Sequence, residues 1–287
     1  MAVPTYQDDT TIREVFQRLL DGWTDPTTYT SGLAPDAVHI GTGGRLDRGR
    51  GEILDGHARV LSSLGSGSSK TGRIDRLQFL TADVALLTVY GDIAIGGEST
   101  GEQSRRTIET ISAQKIDDGW SFVTCQSTPL GHWPKSAAAS SATQRPPAAD
   151  DAPADLTPAG PTDGDEAQIR ALYRRMLDCW LDAPAYAECF TPEADYITGG
   201  GKLERGWREN VEGHQIIFSA WARDSRLAGR IDDIRFLTAD VVVLTAYGHI
   251  VFPDCADTGK RTIYTGTAQK LDGHWIFVGY QNTPLVA

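Results

Sequence analysis

The chain has 287 residues, a length that suits two domains of ordinary size, and 40% of them are hydrophobic, enough for two compact cores. The formal net charge of −11 argues against a nucleic acid or an anionic membrane as the main partner, and no apolar run approaches the roughly 20 residues of a membrane helix. The first residues show neither a basic nor an apolar leader, and the four cysteines have no paired spacing. The expectation is a cytoplasmic chain with free thiols, without a disulfide framework or a zinc site.

In chain order, residues 8–23 read as a helix. Thr10 or Thr11 can cap it, and Ile12, Phe16, Leu19, Leu20 and Trp23 recur at helical spacing. A short helix is expected over 26–33, ended near Pro35, then a strand over 37–42 and a turn at Gly43-Gly44. A third helix covers 50–64, with Ile53, His57, Val60, Leu61 and Leu64 on one face, and Gly65 to Ser69 form a loop of small residues. Long β segments follow at 73–80, 83–95, 104–116 and 119–128. Asp83 sits in a tight Thr-Ala-Asp turn, and Asp117-Asp118-Gly119 makes a hairpin turn. This order is α+β, with helices packed on one face of a curved antiparallel sheet.

The stretch Gly72 to Gly91, GRIDRLQFLTADVALLTVYG, returns 157 residues later as GRIDDIRFLTADVVVLTAYG, differing at six positions. A near-copy of this length means duplication. Three segments are therefore expected: a first domain over 1–133, a Pro/Ala-rich linker over 134–164 and a second domain over 165–287. Ile169, Tyr173, Met176, Leu177 and Trp180 repeat the first helix's face, and His214 repeats His57. The offset drops to 155 after the shorter second hairpin, so Arg106 matches Arg261 and Gln126 matches Gln281.

Each half resembles the SnoaL-like, SgcJ/EcaC-type members of the NTF2-like superfamily. The resemblance is carried by LAPDAVHI with GGRLDRGRGEILDGHARVL, by CFTPEADYITGGGKLERGWRENVEGHQIIF, by the RFLTADV hairpin and by the closing W-x-F-V-x-x-Q-[SN]-T-P-L. It covers nearly everything but the linker and the first residues. It implies two cone-shaped α+β domains, each with an apolar pocket between helices and sheet. Because such proteins often pair, it also implies an intramolecular pseudo-dimer in a chain that is otherwise monomeric. The implied activities are those of polyketide cyclases, isomerases and dehydratases of bacterial secondary metabolism. These act on a small hydrophobic substrate without cofactor or metal. Non-catalytic binding of a small molecule is the alternative, and epoxide opening to a cyclic ether is a second one.

Acid–base work in such a pocket needs a base and one or two buried donors. His57 and His214 lie on apolar helix faces and are candidates for catalysis, or else core histidines bonded to carbonyls. The resembling isomerases hold their basic Asp at a position matching Ile40 or Gly41 here, and Ile197 or Thr198 in the second copy. A base must therefore come from elsewhere. Their oxyanion Tyr matches Phe16 and Tyr173, so the second copy alone offers a hydroxyl there. Asp92 and His249 share one place on the long central strand and are further catalytic candidates. Candidate pocket residues are His39 and Tyr196 on the first strand, Trp23 and Trp180 at the helix ends, Glu109 and Tyr264 on the next strand, and Gln126 and Gln281 on the last. Epoxide opening would need a carboxylate pair, for which Asp92 with Glu109 is the option. With its hydroxyls and two histidines, the second unit is expected to be the active one.

Overall fold

The computed structural model describes residues 4–64, 67–95, 104–131, 164–253 and 261–286, so the expected linker lies outside the described residues except for Gly164. The chain divides into two compact units, Met1–Gly131 and His132–Ala287.

The first unit runs α1 (Tyr6–Asp21), α2 (Pro26–Thr30), β1 (Leu33–Ile40), β2 (Leu46–Arg48), α3 (Gly49–Leu64), β3 (Ser69–Phe79), β4 (Val84–Ala94), β5 (Ser104–Ile116) and β6 (Gly119–Pro129). The second repeats it as α4 (Asp165–Asp178), α5 (Ala183–Ala187), β7 (Phe190–Ile197), β8 (Leu203–Arg205), α6 (Gly206–Ser219), β9 (Arg226–Thr238), β10 (Val241–Val251), β11 (Arg261–Leu271) and β12 (His274–Pro284). Each unit is α+β, as expected.

α1 starts earlier than the sequence suggested, because its cap is Thr5 rather than Thr10 or Thr11. The Asp8 amide donates to Thr5 Oγ1 at 3.2 Å, and the Thr5 amide donates to Asp8 Oδ2 at 2.9 Å. The hydroxyls of Thr10 and Thr11 bond instead to the carbonyls of Tyr6 and Gln7 within the helix. Asp8 Oδ1 also accepts from Lys115 Nζ and from the Trp120 indole, each at 3.0 Å, which ties the helix start to the β5–β6 hairpin. Asp165 repeats this tie with Lys270 at 2.6 Å and Trp275 at 3.0 Å. The bonds from Thr5, Trp120 and Lys115 hold the Asp8 carboxyl far below the usual carboxylate range, and Lys270, then Trp275, lowers Asp165.

Carboxyls lowered by folding stabilise the folded state above their unfolded pKa of about 3.9, and that stability is lost as pH falls toward the folded value. Acid should therefore lower the melting midpoint of the wild type between about pH 4 and pH 2. The fall should be shallower in Asp8→Asn, read by thermal melts across that range. Equal slopes in the two proteins would contradict the tie.

Each unit has one six-stranded sheet, ordered β2-β1-β6-β5-β4-β3 in the first and β8-β7-β12-β11-β10-β9 in the second. The β1–β6 and β12–β7 contacts are parallel and the other neighbours antiparallel. Asp117 and Asp118 both have positive φ (48° and 62°), the mirror-image turn whose twist suits a two-residue hairpin.

Helix α1 packs on the face that Gly72 presents: a Cβ there would stand 3.1 Å from Phe16 Cζ and 3.3 Å from Leu20 Cδ2. Gly72 pairs with Gly91, Gly91 with Thr107, Val89 with Glu109, and Ile93 with Lys70. Side chains alternate along strands, so Lys70, Thr107 and Glu109 share this inner face. Cys125 opposite Ile111, and His39 opposite Cys125, belong to it as well.

Candidate active site

The inner face of the first unit holds a buried ion pair. Lys70 Nζ lies 2.7 Å from Glu109 Oε1, with the two side chains 4% and 5% exposed. The Thr107 hydroxyl donates to the same oxygen at 2.9 Å. Room for this arrangement comes from Gly91, where a Cβ would meet Thr107 Oγ1 at 2.6 Å and Glu109 Oε1 at 3.0 Å. Burial pushes the Glu109 carboxyl up, but the charge and hydrogen bond of Lys70, with Thr107 and His39 adding to them, bring it below its usual value. Glu109 is therefore ionised at neutral pH.

Half-buried His39 lies on the same inner face, on β1 opposite Cys125. Burial, then the charge of Lys70, lowers its imidazole to about 4, against a smaller opposing pull from Glu109. It stands neutral at pH 7 with a lone pair available. Cys125 is pushed up to about 12 by burial and by Glu109, so its thiol is no nucleophile.

His57 is also in this unit, but its geometry is that of a core residue. Its ring is buried, stacks on Tyr29 at 3.8 Å between centroids, and meets the Trp23 ring edge-on at 4.8 Å. Its Nε2 lies 2.6 Å from the Trp23 carbonyl, which can only accept, so Nε2 carries the proton. Trp23 in turn donates its indole N–H to Ser68 Oγ at 3.4 Å. His57→Ala should cost about 1–3 kcal/mol for the orphaned carbonyl alone, read as a lowered urea midpoint. An unchanged midpoint would remove this structural role.

His214 occupies the matching place in the second unit and uses its other nitrogen. Nδ1 donates to its own helix, to the Asn210 carbonyl at 2.8 Å, and burial lowers the ring to about 4. Around it the inner face is filled by tyrosines. Tyr173 and Tyr264 hydroxyls are 2.6 Å apart, Tyr186 and Tyr196 hydroxyls 3.1 Å, and Tyr196 stacks on Tyr280 at 4.6 Å. All five are buried, and burial is the first cause raising each above the ordinary phenol value. They are neutral, self-satisfied core groups. Trp180 packs edge-on against Tyr186 and His214 and donates to Ser225 Oγ at 2.9 Å.

Position by position, the two interiors have diverged. His39 becomes Tyr196, Lys70 becomes Leu227, Glu109 becomes Tyr264 and Cys125 becomes Tyr280. At these matched positions the buried ion pair is in the first unit, and tyrosines and a leucine take its place in the second.

Several candidates fall away from these clusters. Asp92 stands opposite Thr71 and Arg106, and His249 opposite Ala228 and Arg261, on the sheet faces turned away from α1 and α4. Asp92 and Glu109 thus form no carboxylate pair. Gln126, opposite Thr110 and Ile40, and Gln281, opposite Thr265 and Ile197, are buried on those same outer faces. The residue that sequence reasoning missed is Lys70, which lay next to the expected loop. Its signal was the lysine-to-leucine change between the copies. Among the described residues, no three His, Cys, Asp or Glu side chains are grouped to hold a metal ion, and no helix is long and apolar enough to cross a membrane.

No family model and no curated protein matches this sequence. Solved structures similar to it include cystatin-like and NTF2-like fold proteins, and the following ones each cover less than half of this chain. A domain of unknown function with a cystatin-like fold from Nostoc punctiforme is 28% identical over 43% of this chain and 78% of its own, with a TM-score of 0.40. An NTF2-like protein with a cystatin-like fold from Novosphingobium aromaticivorans is 16% identical over 43% and 82%, with a TM-score of 0.38. A ketosteroid isomerase-like protein from Erwinia carotovora atroseptica is 14% identical over 45% and 100%, also at 0.38. Likenesses of this size carry no functional weight, so the chemistry rests on the side chains.

Proposed function

We propose that the first unit is a cofactor-independent acid–base enzyme. It acts on a small, largely apolar, polyketide-like carbonyl compound of bacterial secondary metabolism, by isomerisation, cyclisation or dehydration. The observation that carries this reading is the trio His39, Lys70 and Glu109 on one inner face, replaced by Tyr196, Leu227 and Tyr264 in the second unit. A structural interior needs no buried ion pair beside a neutral imidazole, and the second copy shows the same fold built without one.

The roles follow from protonation. Neutral His39 takes a proton from the carbon next to the carbonyl, and the electron pair moves to the oxygen. The Lys70 ammonium stabilises the oxyanion, and Glu109 offsets the charge of the new imidazolium. His39 then returns the proton to another carbon, to the oxygen or to a leaving hydroxyl.

The test is hydrogen exchange. With 2-tetralone in D2O, the protein should speed loss of the C1–H signal in proton NMR. The rate should fall as pH drops through about 4, because protonated His39 cannot accept a proton. Bound ketone that exchanges only at the buffer rate would favour a binding protein without turnover and sink the enzyme reading.

A further inference from the structure

Lys70 is under-used by the contacts described above. Its ammonium has three N–H donors. Among the described residues it bonds to Glu109 Oε1 at 2.7 Å and lies 5.8 Å from the centre of the Trp23 ring. A cation taken out of water with donors uncovered is costly, so this geometry favours an acceptor arriving from outside the fold. The charges around that place are already balanced. The groups whose positive charge acts on His39 are Lys70, His57 and Arg45, and burial holds the His57 ring toward its neutral form. Lys70 is paired with Glu109, and Arg45 with Asp47 at 2.7 Å, both carboxylates being buried.

We infer that this site takes an electrically neutral ligand, whose carbonyl oxygen is received by the remaining N–H groups of Lys70, and rejects a carboxylate of the same shape. The inference rests on the acid–base reading of the same cluster and names its substrate class. A ligand carboxylate would add one negative charge to a set that sums to zero. It would also share Lys70 with Glu109 at close range, where like charges are strongly disfavoured. A ketone, ester or amide oxygen brings lone pairs without that charge.

The test is calorimetric titration of the full chain at pH 7.5 with 2-acetylnaphthalene and with 2-naphthoate. The ketone should bind at least about tenfold more tightly. The double variant Lys70→Leu with Glu109→Tyr adopts the pair that Leu227 and Tyr264 already form in the second unit, so it should fold, as a cooperative melt would verify. It should lose about tenfold in ketone affinity. Equal or tighter binding of the naphthoate, failure of both ligands to bind, or undiminished ketone affinity in a folded double variant would overturn the inference. Ketone preference without hydrogen exchange would uphold the substrate class while ending the turnover reading. Exchange without that preference would do the reverse.

Discussion

Lys70→Leu should destabilise the first unit by about 3–5 kcal/mol, because it leaves the Glu109 carboxylate buried without its cation. The remaining partner, the Thr107 hydroxyl at 2.9 Å, is neutral and does not replace the charge. In a unit of this size the loss should lower the melting temperature by about 10 °C or more. Adding Glu109→Tyr should recover most of it, since removing both charges removes the desolvation cost of each. The second unit already packs Leu227 and Tyr264 at these positions. Urea unfolding of wild type, single and double variants measures the coupling directly. A single variant as stable as wild type would mean that water reaches the pair and that the interior is not dry.

The second large effect is on rate. His39→Ala should reduce exchange by about 10²–10⁴-fold, the usual worth of a positioned base. Its stability cost should be small, because His39 is half-buried and makes no hydrogen bond with the described residues. Tyr196→Phe, at the matching place in the second unit, should do the opposite. It loses the bond to the Tyr186 hydroxyl, about 1 kcal/mol, and leaves the rate unchanged. Melting curves and exchange rates on the same preparations separate the two. Were Tyr196→Phe to abolish exchange and His39→Ala to spare it, the site would have been put in the wrong unit.

Much of the fold was legible in the sequence because helices and duplication leave periodic traces. The face of α1 follows from 3.6-residue spacing, that of α3 follows it at Ile53, His57 and Leu64 but not at Val60, which is 43% exposed, and the twenty-residue repeat announces two units. The cap of α1 was misread because hydroxyls at Thr10 and Thr11 suit a cap as well as Thr5 does. What selects Thr5 is the reciprocal bond from Asp8, and Asp8 is placed by Lys115 and Trp120 more than a hundred residues away.

The site was half legible, for a reason rooted in strand geometry. Comparing the copies marked His39/Tyr196, Glu109/Tyr264 and Asp92/His249 alike as diverged polar positions. A shift of one residue in strand register moves a side chain to the other face, and the sequence does not carry that parity. Pairing decides it: Glu109 opposite Val89 faces inward, Asp92 opposite Arg106 faces outward. Lys70 was passed over because β3 begins at Ser69, inside what reads as a loop of small residues. The helical histidines drew attention by sitting on apolar faces, yet each is bonded to a carbonyl, at Trp23 or Asn210, which explains the burial without any chemistry.

The most direct test of the central claim converts the first interior into the second. The triple variant His39→Tyr, Lys70→Leu and Glu109→Tyr should melt cooperatively and should exchange 2-tetralone protons only at the buffer rate. A folded triple variant that exchanges at the wild-type rate would contradict the account and place the chemistry elsewhere in the chain.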